Sequence, residues 1–215
     1  MKRSLFCISL GVAAIGTLFI SAARAEDNAM EALKKAQKAQ LEAPASRMKM
    51  ISTDADNRVS TMTLEFVKPD MMHWRMEENS QVKMEMWSDG KKTFVRHGPA
   101  GEIKEAPLSM SAMLAQARES AAVEKLIAMA KELAFVGHEN VNGTPASVYT
   151  FKTEMMGLNS ATKLWISDVD NRPLKSEGET HGEIKIGAGP GRTTNKKSVT
   201  TYEYDPSIKI IVPAN

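Results

Sequence analysis

Residues 71–86 read MMHWRMEENSQVKMEM. Met72, Trp74 and Met76 alternate with His73, Arg75 and Glu77. After Glu78-Asn79-Ser80, a turn signal, Val82, Met84 and Met86 alternate with Gln81, Lys83 and Glu85. A period of two places successive side chains on opposite faces of an extended chain. Two such runs joined by three turn residues predict an antiparallel pair with one apolar and one polar face. The pattern extends upstream. Met48 and Met50 alternate with Arg47 and Lys49, and Met62, Leu64 and Phe66 with Thr61, Thr63 and Glu65. Turn signals at 54–57 (DADN), 68–70 (KPD) and 89–90 (DG) separate the runs, which predicts a meander from 45 to about 105.

Downstream, 108–133 returns to helical spacing. Met110, Met113, Leu114 and Ala117 form one stripe, and Ser120 caps a second helix carrying Val123, Leu126, Ile127 and Ala130. Strands resume at Ala134. Asn142-Gly143 is a hairpin signal. Ser147, Tyr149 and Phe151 alternate, 161–167 precedes a turn at 168–173, and 174–186 and 193–204 read as long strands joined by the loop 187–191 (GAGPG). Pro206 and Pro213 bracket a last short strand at 208–211. Before all of these, 27–41 (DNAMEALKKAQKAQL) holds helix formers, with Met30, Leu33 and Ala36 as a narrow stripe and Pro44 as its stop. Ten or eleven strands, one N-terminal helix and a helical insertion follow, with no linker to divide them.

The chain has 215 residues, 42% hydrophobic and 25% charged, with one Cys, Cys7. Its first 25 residues combine Lys2 and Arg3, an apolar run from Leu5 to Ile20, and Ala23-Arg24-Ala25. These are the parts of a secretory signal peptide cleaved after Ala25. The apolar run is shorter than the ~20 residues of a membrane span. Glu26, not Cys, follows the cleavage point, so no lipid attachment of the lipoprotein kind is expected. The expected product is one domain, 26–215, exported to the periplasm and not integral to a membrane. Loss of Lys2, Arg3 and Arg24 leaves 25 basic against 26 acidic residues. That balance argues against a polybasic nucleic-acid surface.

Catalytic and metal signals are weak. His73, His97, His138 and His181 make no ligand spacing, and no Cys accompanies them. There is no G-x-S-x-G. The glycine loop at 187–191 lacks the Lys-Ser/Thr pair of a phosphate loop, and Asp168, Asp170 and Asn171 lack the glycine and closing Glu of a calcium loop. Glu177 and Glu179 share a strand face and read as solvated. No enzyme activity, cofactor or metal is expected.

The methionines are more informative. There are 15, against six Phe, three Trp and three Tyr. Met48, Met50, Met62, Met72, Met76, Met84 and Met86 all fall on the apolar phase, with Leu64, Phe66, Trp74 and Val82; Met71 does not. Met is a flexible, polarisable side chain that repacks around ligands of varied shape. The face is either an ordinary core or the lining of a hydrophobic cavity, with Met110, Met113 and Leu114 of the insertion as a lid. Soft-metal binding by thioethers is a further alternative, but these methionines are spread over four strands without His or Cys support.

Residues 68–76 (KPDMMHWRM) and 87–94 (WSDGKKTF) resemble the segment of LolA-like lipoprotein carriers in which a P-x-x-x-x-W strand precedes a DG hairpin. Residues 141–149 (VNGTPASVY), 164–167 (LWIS), 172–177 (RPLKSE) and 202–210 (YEYDPSIKI) are similar to the second half of that superfamily. The resemblance implies an α+β fold: an unclosed antiparallel β half-barrel of about eleven strands around a hydrophobic cavity, with an N-terminal helix and a helical lid. It implies a carrier of lipoprotein acyl chains or other lipid, exchanging with membrane-bound donor and acceptor proteins. A periplasmic sensor on the same fold, detecting lipid or envelope protein, is the alternative. The superfamily's cavity Arg falls near Arg47, but Arg47 is out of phase with Met48 and Met50, so that role is not carried over. The Met richness also departs from the family and points to a different cargo.

Overall fold

The computed structural model describes residues 28–106, 127–155, 157–184 and 192–213. Helix α1 spans 28–42 and is followed by eleven strands. These are β1 (Ala45–Asp54), β2 (Val59–Val67), β3 (Met71–Glu78), β4 (Gln81–Ser88), β5 (Thr93–His97) and β6 (Lys104–Glu105), then β7 (Lys131–Val141), β8 (Thr144–Met155), β9 (Leu158–Ser167), β10 (Pro173–Ile184) and β11 (Arg192–Glu203). All pairings are antiparallel, in one sheet of order β6-β5-β4-β3-β2-β1-β11-β10-β9-β8-β7. The two meanders are joined by their ends: β1 pairs with β11, Arg47 opposite Glu203 and Met50 opposite Thr200. Strands β6 and β7 are the free edges, so the sheet is not closed.

Turn chemistry sets the hairpins. Asp54 accepts hydrogen bonds from the backbone N–H of Asp56 and Arg58 at 2.9 Å, an Asx turn that leaves Asn57 in the left-handed region. At β7–β8, Asn142 and Gly143 both have positive φ, as a two-residue primed turn requires.

α1 lays its apolar stripe on one face of the sheet, called inner here. Ala29, Leu33 and Ala36 are buried in a cluster with Leu133 and Ile166, flanked by Tyr149, Phe151 and Leu164. On the outer face Val148 and Trp165 form a second cluster with Ala146. Trp165 donates its indole N–H to Glu139 at 2.8 Å, and the ammonium groups of Lys163 and Lys175 lie 4.5 and 4.8 Å from the ring centre.

Three expectations need correction. The predicted strand at 208–211 does not form. Ile208 and Ile210 are buried while Lys209 and Ile211 are exposed, so the alternation is real, but no strand among the described residues pairs with the segment. The helical reading of 108–133 runs too far: residues 127–128 are helical, and β7 already begins at Lys131. The rest of that insertion, including the lid residues Met110, Met113 and Leu114, lies outside the described residues, as does the signal segment. Finally, a bulge between Met76 and Glu77 sets Val82 opposite Glu77 and out of register with Met84 and Met86.

Candidate functional site

Antiparallel register aligns the inner-face side chains in rows across the strands. One row runs Tyr202, Met48, Leu64, Trp74, Met86, Val95. The next runs Thr200, Met50, Met62, Met76, Met84, His97, and a third runs Ser46, Phe66, Met72, Ser88, Thr93. Apart from Val82, the strand residues singled out by their alternation thus share one continuous face. Met72 and Met86 are buried and the others are half-buried.

A cavity of about 280 Å³ opens on this same inner face, beneath α1. Leu33, Ala36, Gln37 and Gln40 of α1 form its roof, with Ile127, Met129 and Ala130 at one side. Its floor is Phe151 and Thr153 of β8, Thr162 and Leu164 of β9, Pro173 and Ser176 of β10, and Tyr202 of β11. Most of the lining is apolar, with amides and hydroxyls as a polar minority, the usual make-up of a small-molecule pocket. Burial pushes the Tyr202 phenol above its ordinary pKa, and its contact with Ser176 only partly offsets this. The phenol therefore stays neutral and serves as a hydrogen-bonding group inside an apolar space.

None of the methionines read from sequence lines this cavity. Its floor lies in the second half of the sheet, where Ser, Thr and Leu dilute the apolar phase. The available signal was the stripe of α1 together with the alternation of Tyr149 and Phe151. Tyr202 joins the two regions, since it lines the cavity and stands opposite Met48.

The outer face is chemically unlike the inner one. Glu65 accepts from Arg47 Nε at 2.6 Å and meets His73 Nδ1 at 3.0 Å, and Arg47 also pairs with Glu203 at 2.7 Å. Burial raises the Glu65 carboxyl, but hydrogen bonds from His73 and Arg47 outweigh it and hold the group below the usual carboxylate range. Glu85 is 3% exposed and is ion-paired with Arg96. His73 Nε2 and Arg75 lie 3.5 and 3.6 Å from it. Trp87 stacks on His73 with ring centres 5.4 Å apart and also carries the Arg96 guanidinium. Arg47 belongs to this network and not to the inner face, in agreement with its phase in the sequence. An open groove of about 570 Å³ runs along Arg47, Glu65, His73, Arg75 and Glu203.

Ser147, His138 and Asp168 also meet on the surface. The Ser147 hydroxyl donates to Asp168 at 2.6 Å, and His138 Nδ1 is 3.3 Å from both partners. A nucleophilic relay needs Ser and Asp on opposite ring nitrogens; here both contacts fall on Nδ1. Glu177 and Glu179, predicted to share a face, are each neutralised by a lysine, Lys175 at 2.6 Å and Lys197 at 3.0 Å. Among the described residues no three His, Cys, Asp or Glu side chains gather as a metal site, and no helix is long and apolar enough to cross a membrane.

No protein-family model and no curated protein matches the sequence. Solved structures do match the fold. Lipoprotein LppX from Mycobacterium tuberculosis superposes with a TM-score of 0.56 at 11% identity, over 88% of this chain and 98% of that one. LprF from Mycobacterium bovis gives 0.53 at 10% identity, over 87% and 97%. A looser alignment, TM-score 0.31 at 12% identity over 81% and 91%, is to the LolA superfamily protein NE2245 from Nitrosomonas europaea. At such identities the likeness to LppX and LprF concerns the fold alone.

Proposed function

We propose that this protein is a periplasmic carrier or binding protein for an acylated ligand, either a lipoprotein acyl chain or a lipid, which it holds by desolvation and dispersion without chemistry. The observation that carries this reading is the apolar cavity of about 280 Å³ beneath α1, one of whose lining residues, Tyr202, stands opposite Met48 on the face that also holds Met50, Met62, Leu64, Phe66, Met72, Trp74, Met76, Met84 and Met86. Each buried methylene contributes ~0.8 kcal/mol, so ten methylenes supply roughly 8 kcal/mol before ordering costs. Flexible thioethers suit chains that differ in length and branching. The neutral Tyr202 phenol and Ser176 offer hydrogen bonds to an ester or headgroup. Donor and acceptor membrane proteins, and export after cleavage at Ala25, complete the proposal.

The test is binding of a fluorescent fatty-acyl probe to the mature chain, with native mass spectrometry of gently purified protein to weigh any retained lipid. Met62→Glu and Met84→Glu each place a charge on the apolar face and are expected to abolish probe binding while the circular dichroism spectrum is preserved. Wild-type affinity in both folded variants would remove the methionine face from the site.

A further inference from the structure

The second inner-face row holds a donor set that is invisible in the sequence. Met62 stands opposite Met76, Met76 opposite Met84, and Met84 opposite His97. Directly opposed residues have Cβ atoms about 5 Å apart, so three consecutive members of the row span only about 10 Å. Thioether side chains are flexible enough to turn their sulfurs toward one point within that span. The sequence separates Met84 from His97 by a whole hairpin, and only register makes them neighbours.

The chemistry of the set is specific. Thioethers are soft donors that select Cu(I), and imidazole accepts copper as well, whereas hard cations need carboxylates. The row contains none. The carboxylates next to these methionines in sequence are taken up by arginines: Glu77 pairs with Arg75 at 2.5 Å, and Glu85 aligns with Arg75 and Arg96 on the outer face. A neutral donor set favours a monovalent ion over a divalent one, because no ligand charge offsets a second positive charge. The site is also reachable. His97 is exposed and its imidazole has no hydrogen-bond or ion-pair partner among the described side chains, and Met76 borders an open cleft of about 420 Å³ that Glu77 and Glu78 also line.

We propose that Met76, Met84 and His97, with Met62 next in the row, form a binding site for a soft monovalent metal ion, Cu(I). This inference is independent of the acyl-ligand reading.

The mature protein is titrated anaerobically against the Cu(I)–bicinchoninate complex, with Ag(I) as a redox-silent substitute followed by native mass spectrometry and by tryptophan fluorescence, since Trp74 lies on the same face. One ion per chain is expected, with sulfur and nitrogen scatterers in the copper X-ray absorption spectrum. The double variant M76L/M84L keeps the apolar volume, removes two donors and is expected to bind Cu(I) at least roughly 100-fold more weakly, since loss of an outer-shell partner alone costs about 10–100-fold. Its melting temperature is expected to be little changed, since Met and Leu are close in volume. His97→Gln, at an exposed position where folding is not at risk, is expected to weaken binding roughly tenfold and to remove the nitrogen scatterer. Failure of the wild type to draw Cu(I) from bicinchoninate, a spectrum without sulfur, or wild-type affinity in both variants would overturn the proposal.

Discussion

Ala36→Leu turns the cavity beneath α1 into a question with opposite signs for its two answers. Ala36 is 2% exposed and borders the space of about 280 Å³. Leucine adds three carbons there, and both residues are strong helix formers, so α1 itself is little affected. With the space open, each added carbon buries apolar surface at ~0.8 kcal/mol, an upper limit of about 2 kcal/mol in favour of the ligand-free protein. For a chain of this size that raises the melting temperature by up to about 4–8 °C. The same carbons exclude two or three methylenes of a bound chain, which weakens acyl-probe affinity roughly 15–50-fold. Thermal melts by circular dichroism and probe titration read the two effects separately. A space already filled by neighbouring side chains gives the reverse: overpacking costs about 1–3 kcal/mol, the melting temperature falls, and probe binding is unmoved. That outcome would refute the assignment of the cavity as a binding site.

Glu65→Gln tests the outer network through pH. Its folded pKa lies below the unfolded value near 4.5, so its stabilisation is present above that pH and is lost as pH falls through the folded value. The variant is expected to be less stable at neutral pH and to show a shallower acid limb in melting temperature against pH below about 4.5; an unchanged limb would show that Glu65 carries none of it. Glu85→Gln strips the buried carboxylate from Arg96, Arg75 and His73. Breaking a buried pair costs about 3–5 kcal/mol, but the Arg side chains are 28% and 41% exposed, so about 2 kcal/mol is expected, read as a lowered denaturation midpoint in urea at constant m-value. The two substitutions share His73 and are expected to be non-additive in a double-mutant cycle; simple additivity would separate them into independent ion pairs.

Which residues form strands was legible in the chain because alternation is a local property. Met72-x-Trp74-x-Met76 needs no partner to declare its two faces, Asp54 and Asn142-Gly143 form their turns from their own backbone chemistry, and Leu33 and Ala36 mark the buried side of α1 by spacing alone. The apolar face, its methionines and the exclusion of Arg47 from it all followed from phase. Tertiary structure decided everything that depends on register between distant strands. It joined β1 to β11 and so made one unclosed sheet from two meanders. It moved Val82 out of line through a bulge, left 208–211 without a ladder, and placed the cavity under α1 against β8–β11. It also set His97 beside Met84. The physical reason is that alternation fixes which way a side chain faces, whereas its neighbours across the sheet are chosen by hydrogen-bond pairing between segments as far apart as Arg47 and Glu203, which no local pattern encodes.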